Sequence, residues 1–343
     1  MKFSVPFNGD LDLIDYIIDK KDKVSDVYFG LPFSIMPSGR LIEFNPGSEE
    51  YLETLNKALD KLNEYKIPCT MLINLQCESD KTFSKEMLQN ISKTIRSFKD
   101  RIQGVTLFNP AYIKELKARF PDISFSISVN SNINSLYRAK ITEELGFDTI
   151  VLDRDINRDL KKIKKIAETV DAKIKMLVNE ACLKDCLFRI SHFNLLSHHK
   201  QGLDYKELIP CVKFYSEKPW TILLSSFILP KDLKKYPFVD QFKIAGRNLP
   251  TKLLKYTLSA YFNEKTDFDL LAVLSCYGLY VWKNDYIKRY NRVPYFDASK
   301  IPDDFFNKTS NCDFNCTECN YCEKIWNDCM TEYDEVKKDN KSV

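Results

Sequence analysis

Eight of the chain's eleven cysteines gather in two groups. Cys182, Cys186 and Cys211 lie mid-chain, while Cys312, Cys316, Cys319, Cys322 and Cys329 crowd its end. The tail runs C-x-x-x-C-x-x-C-x-x-C, and such short gaps let one stretch of backbone wrap several thiolates around a single inorganic centre. Iron–sulfur clusters and structural zinc are both held this way, whereas disulfides need no such regularity. Part of the tail also has the spacing of radical S-adenosylmethionine enzymes. In those proteins, however, the motif follows an early barrel strand, and here it lies beyond all the strand-like runs.

The mid-chain cysteines sit in Asn179-Glu180-Ala181-Cys182-Leu183-Lys184-Asp185-Cys186-Leu187-Phe188-Arg189-Ile190-Ser191-His192, directly after a strand-like run. Three thiolates concentrate negative charge that a metal or cluster would compensate. Arg189 and His192 can add hydrogen bonds or positive charge nearby. Glu180 and Asp153, both at run ends, are candidates for a proton-transfer pair, although capping of the next segment explains them nearly as well. Arg247, at the end of the last run, can bind an anionic substrate group. At least one of His198 and His199 reads as part of a solvated turn, Cys69 and Met71 as core, and Cys77 as ambiguous.

The elements that must position these residues are short apolar runs separated by helical stretches. The runs are 27–30, 69–74, 105–109, 123–130, 149–153, 174–179, 221–225 and 242–247. Most are β-branched and bounded by polar residues, as strands buried on both faces should be. Helical periodicity fills 51–65, 135–145 and 160–170. This alternation calls for a parallel sheet. Eight units point to α/β architecture of the closed (β/α)8 TIM-barrel type over residues 1–262, with an open doubly wound sheet as the alternative. The early run Phe3–Pro6 is expected to plug or extend the barrel bottom. In a barrel the polar run ends Asn74, Asn109, Asn130, Asp153, Asn179, Ser225 and Arg247 converge on one rim. Residues 263–343 form a helical, cysteine-rich extension, with one or two aromatic helices over 268–290 and an irregular stretch around Pro294 and Pro302.

Composition narrows the setting. The 343 residues are 44% hydrophobic and 29% charged, and 51 basic side chains nearly balance 48 acidic ones. A nucleic-acid partner would have to use a local basic patch, and DNA is a poor candidate. Lys161-Lys162-Ile163-Lys164-Lys165 reads best as a solvated helix face. No signal peptide or apolar run of membrane-spanning length stands out, so a cytoplasmic protein without membrane insertion is expected. There, thiols stay reduced unless metal holds them. The sequence lacks the G-x-S-x-G, H-E-x-x-H and G-x-x-x-x-G-K patterns.

The chain resembles peptidase family U32, the collagenase-like peptidases. The resemblance is carried in order by Lys2-Phe3-Ser4-Val5-Pro6-Phe7-Asn8, Asp26-Val27-Tyr28-Phe29-Gly30, the Asn-Glu-x-Cys segment, Ser225-Ser226-Phe227-Ile228-Leu229-Pro230-Lys231-Asp232-Leu233 and Phe242-Lys243-Ile244-Ala245-Gly246-Arg247. It implies a barrel enzyme, and members of the family are associated with oxygen-independent hydroxylation of quinone precursors or RNA bases on a 4Fe–4S cluster. By that resemblance Cys182, Cys186 and Cys211 are cluster ligands, with Cys276 or a tail cysteine as the fourth. Counting allows a second cluster on Cys312, Cys316, Cys319 and Cys322, with Cys329 or Cys276 completing the first; one cluster plus a tail zinc is the alternative. The expected function is an iron–sulfur oxidoreductase or hydroxylase in which Glu180, Arg189, His192 and Arg247 serve the substrate. That substrate is a small aromatic molecule, an RNA or a peptide, and an electron donor or partner protein is a further expected associate. A U32-type peptidase and a non-catalytic iron–sulfur redox protein are the alternatives.

Overall fold

The structure, a computed structural model, describes the chain apart from residues 33, 37–47, 199–209, 317 and 335–343. Eight parallel strands close into a barrel: β1 (Phe3–Pro6), β2 (Val24–Phe29), β3 (Cys69–Ile73), β4 (Gly104–Leu107), β5 (Ser124–Ile127), β6 (Thr149–Val151), β7 (Lys173–Leu177) and β8 (Gln241–Lys243). The chain thus has the TIM-type (β/α)8 fold. Helices start where short polar side chains meet free backbone N–H groups. Ser84, Ser135 and Asp159 accept from Met87, Arg138 and Lys162 and so open the helices Lys85–Phe98, Leu136–Glu144 and Leu160–Ala167.

Two expected runs exchange places. Phe3–Pro6 neither plugs nor merely extends the barrel: it is a full strand, pairing with β2 on one side and β8 on the other. The segment expected as a strand at 221–225 is instead part of a 3-10 helix, Pro219–Leu224. Pro219 presets the first turn, and Thr221 and Ser225 donate their N–H groups back to Lys218 and Ile222. Ile222 and Leu223 are fully buried all the same. Burial alone therefore gave the segment its strand-like composition.

The extension adds the helices Leu270–Val273, Tyr277–Tyr290, Phe305–Ser310 and Tyr321–Cys329, and a two-stranded antiparallel sheet of β9 (Arg292–Phe296) and β10 (Met330–Asp334). The stretch expected to be irregular around Pro294 is thus a strand, and a two-stranded ribbon can seat a proline because each strand has a free edge. Phe296, Phe305, Trp326 and Cys329 join the barrel's own core.

A charged pair lies inside the barrel. Lys175 Nζ on β7 is 3.0 Å from Asp26 Oδ1 on β2, and Ser4 Oγ on β1 donates to Asp26 Oδ2 at 2.9 Å. Burial would raise the Asp26 carboxyl, but the Lys175 charge and the two hydrogen bonds outweigh it and hold the group below its ordinary 3.8. A depressed carboxyl stabilises the fold at pH values above the unfolded pKa, and that contribution is lost as pH falls through the folded value. We therefore expect the stability difference between the wild type and Asp26→Asn to shrink steadily on acidification below 3.8. Lys175→Met, which strands the carboxylate, should cost about 3–5 kcal/mol in urea unfolding at neutral pH.

Candidate metal centre

Beyond β7 the chain reaches Asn179, which is fully buried. Its side-chain amide donates to the carbonyls of Ala245 (3.1 Å) and Val273 (3.0 Å), and its Oδ1 accepts from the Ala245 N–H at 2.7 Å. Its backbone carbonyl accepts from Ser275 at 2.8 Å, and Ser275 in turn accepts from Ala181. One amide side chain thus ties the ends of two barrel strands to the extension. The resulting parallel bridge between Glu180 and Ser275 brings Cys276 beside Cys182.

Four cysteines line the cavity above this junction. Cys182 and Cys186 come from the loop after β7, Cys211 from the helix Pro210–Glu217, and Cys276 from the start of Tyr277–Tyr290. The cavity measures about 610 Å³ and its wall is mostly apolar, including Phe188, Leu195, Leu253 and Ile287. Cys211 hydrogen-bonds to Cys276, and the N–H groups of Gly278 and Leu279 also point at the Cys276 sulfur. The Cys211 bond, opposed by burial and helped by those N–H groups, lowers the Cys276 thiol to about 7. Burial pushes Cys182 up to about 12, and the hydrogen bond to Cys276, with burial and the neighbouring thiols, drives Cys211 upward as well. Gly278 is required for this approach, because a Cβ there would lie 2.6 Å from Cys211 Sγ.

Charged side chains back the thiols. Burial would weaken the charge on Arg189, but bonds to Asp155 and Cys182 overcompensate and raise its pKa. The guanidinium grips both Asp155 oxygens, one at 2.9 Å, and the Leu183 carbonyl. Glu180 forms a buried ion pair with Arg154, whose guanidinium also donates to Asn130 at 2.9 Å. Among the described residues no three His, Cys, Asp or Glu side chains are arranged to hold a metal ion.

The remaining candidate residues are distributed as follows. His192 lines the cavity, stacked on Phe193. Arg247 is buried near Tyr51 and is not in the lining; its neighbours Asn248 and Leu249 are. The reason lies in the turn after β8, where Gly246 at φ +127° redirects the chain. Of the two expected proton-transfer residues, Glu180 lines the cavity of the four thiols and Asp153 lines another. Burial, with the neighbouring tail thiols, raises Cys316, and burial together with Cys312, Cys316 and Cys319 pushes Cys322 up to about 12. Cys329 departs from that group. It is fully buried where the last helix meets β10, its carbonyl accepts from Asp297, and burial lifts its thiol to about 11. Cys69 is core, as expected. His199 lies outside the described residues.

Cys77, ambiguous in the sequence, has a partner in the fold. Its sulfur is 3.1 Å from His198 Nε2, and Ser79 Oγ is 3.3 Å from Nδ1 of the same ring. The two residues are 121 positions apart, so no local pattern could pair them. Cys276 was likewise legible only as one of several possible fourth ligands.

A model of peptidase family U32 matches residues 13–204, more than half of the chain. A relative from Methanocaldococcus jannaschii, the uncharacterized protease MJ1657, is 28% identical over 340 residues, covering 94% of this chain and 97% of the relative. Among solved structures the U32 peptidase Mk0906 superposes with a TM-score of 0.53 at 15% identity, over 72% of this chain and 93% of that one. At that identity the likeness speaks for the fold, while the family match speaks for descent. Among the described residues no helix is long and apolar enough to cross a membrane. The chain belongs to peptidase family U32.

Proposed function

We propose that the protein is an iron–sulfur oxidoreductase, of the kind that hydroxylates or otherwise modifies a substrate without oxygen, with a 4Fe–4S cluster on Cys182, Cys186, Cys211 and Cys276. The observation that carries this reading is the convergence of four thiols, from three distant segments, on one apolar cavity. The donor set fits the group. Four cysteines are its usual ligands, and N–H donors aimed at sulfur together with a nearby cation are the means by which proteins stabilise and tune it. When bound, such a cluster supplies one-electron chemistry at the cavity floor.

The chain's own residues supply the rest. Asp155 and the Leu183 carbonyl hold the Arg189 guanidinium against Cys182. Glu180 pairs with Arg154 beside the same loop, and the apolar wall excludes water. His192 is the imidazole in the lining, placed to exchange a proton with bound substrate. A small aromatic molecule suits the cavity's size and wall better than an RNA strand or a peptide. The test is anaerobic purification followed by absorption, iron and sulfide measurements. A colourless, iron-free product would end this reading.

Hydrolysis is a second reading, favoured by one observation, the Ser79–His198–Cys77 array. A thiol facing an imidazole whose other nitrogen is held by a hydroxyl has the nucleophile–base–orienter order of cysteine hydrolases. This reading expects cleavage of a labelled unstructured peptide that survives iron chelation and falls about 1,000-fold in Cys77→Ala. Unchanged cleavage in that variant would dismiss it.

A further inference from the structure

Four of the seven cysteines that the barrel site does not use carry a separate inference. Cys312, Cys316 and Cys319 lie on a loop that folds back on itself: the N–H groups of Cys316 and Cys319 bond to the Phe314 and Asn315 carbonyls. Cys322 follows in the first turn of the helix Tyr321–Cys329. The Phe314 N–H points at Cys312 Sγ at 3.3 Å, a backbone donor of the kind that supports a ligating thiolate. To accept that geometry Phe314 adopts a left-handed φ of 62°, which is costly for a bulky side chain, and its ring is held by Lys184 Nζ 4.2 Å away.

A second, independent observation comes from the barrel. Arg158 is buried among the rim residues, lines one cavity with Cys312 and lies within electrostatic range of Cys322. Among the described residues its hydrogen bonds all go to backbone carbonyls, those of Leu223 and Phe227, at 3.1–3.2 Å. The rings of Phe227 and Phe305 sit at 4.8 and 5.2 Å from it. Asp232, the neighbouring carboxylate, is bonded to Lys235 at 2.7 Å. A desolvated cation without a bonded acid is expensive unless an anionic centre lies beside it. Four thiolates around a metal core make such a centre, and Arg158 shares a cavity wall with Cys312, one of the thiols that would form it.

We propose that Cys312, Cys316, Cys319 and Cys322 hold a second iron–sulfur cluster, distinct from the barrel site and charge-balanced by Arg158. The C-x-x-C-x-x-C part of the run, Cys316, Cys319 and Cys322, has the spacing that supplies three ligands of one cluster in ferredoxin-type loops, and Cys312 is the further thiol of the same stretch. Cys312 and Phe314 also line a cavity of about 430 Å³ with Asp153, Asp155 and Arg158. Asp155 is the residue that holds Arg189 at the barrel thiols, so the two centres share one charged wall.

The test uses the full chain, purified without oxygen, with iron, sulfide and zinc measured per chain. The wild type should carry about eight irons, and Cys316→Ser/Cys319→Ser should lose about four of them. Should that variant fail to fold, Cys182→Ser/Cys276→Ser answers the same question, because it should keep about four irons and a reduced-cluster paramagnetic signal from the tail. Retention of all iron by the tail variant, or loss of a single zinc with iron unchanged, overturns the proposal. Loss of all iron by the barrel variant overturns it too. A barrel variant that loses no iron speaks against the barrel cluster and leaves this result standing, so the two failures are distinguishable.

Discussion

Cys276→Ser is expected to empty the barrel site while the chain stays folded. Cys276 is in hydrogen-bond contact with Cys211 and receives the Gly278 and Leu279 N–H groups at the start of the Tyr277–Tyr290 helix. Serine fits the same space and can cap the helix, so the fold should tolerate it, with a change of less than about 1 kcal/mol. As an iron ligand, however, a hydroxyl is far poorer than a thiolate. Iron at this site should become removable by mild chelation, and cluster-dependent turnover should fall by on the order of 100-fold or more. Iron retention equal to wild type under the same chelation would show that Cys276 is not the fourth ligand. The sequence-equivalent control is Cys329→Ser. Its thiol is packed in the core away from both groups, so it should lower thermal stability and leave iron content alone.

Asn179→Ala should damage stability as much as Lys175→Met. The side chain makes three hydrogen bonds at a position with no solvent access. Removing it leaves the Ala245 N–H and the carbonyls of Ala245 and Val273 to find new partners, and opens a void as well. Each buried group left without a bond costs roughly 1–3 kcal/mol, so a loss of about 3–5 kcal/mol is expected after partial relaxation. The effect should extend to the metal. Val273 leads directly to Ser275 and Cys276, so loosening that tie frees one ligand from the other three. Urea unfolding and iron release measured on the same sample should therefore change together. A stability loss below about 1 kcal/mol would mean that the tie is not what joins barrel to extension.

These two residues also mark how far the sequence could be read. Seven of the barrel strands were visible because a strand covered on both faces must be short, apolar and bounded by polar turns. The eighth was misassigned. Phe3–Pro6 is so short that pattern could not rank it above 221–225, and a buried 3-10 turn such as Pro219–Leu224 selects the same apolar residues. β9 stayed hidden behind Pro294 because its partner lies at the far end of the extension.

By itself the sequence determined the parallel (β/α) alternation, the rim on which functional loops gather, and the cysteine inventory. Each of these follows from local periodicity or from residue type. Only the tertiary structure decided which thiols meet. Cys276 reaches Cys182 because Asn179 bonds across the end of the barrel, Cys77 meets His198 across 121 positions, and Cys329 is drawn into the core. Spacing along the chain constrains partners only over a few residues. Beyond that, burial and the need to satisfy every buried polar group choose the neighbours.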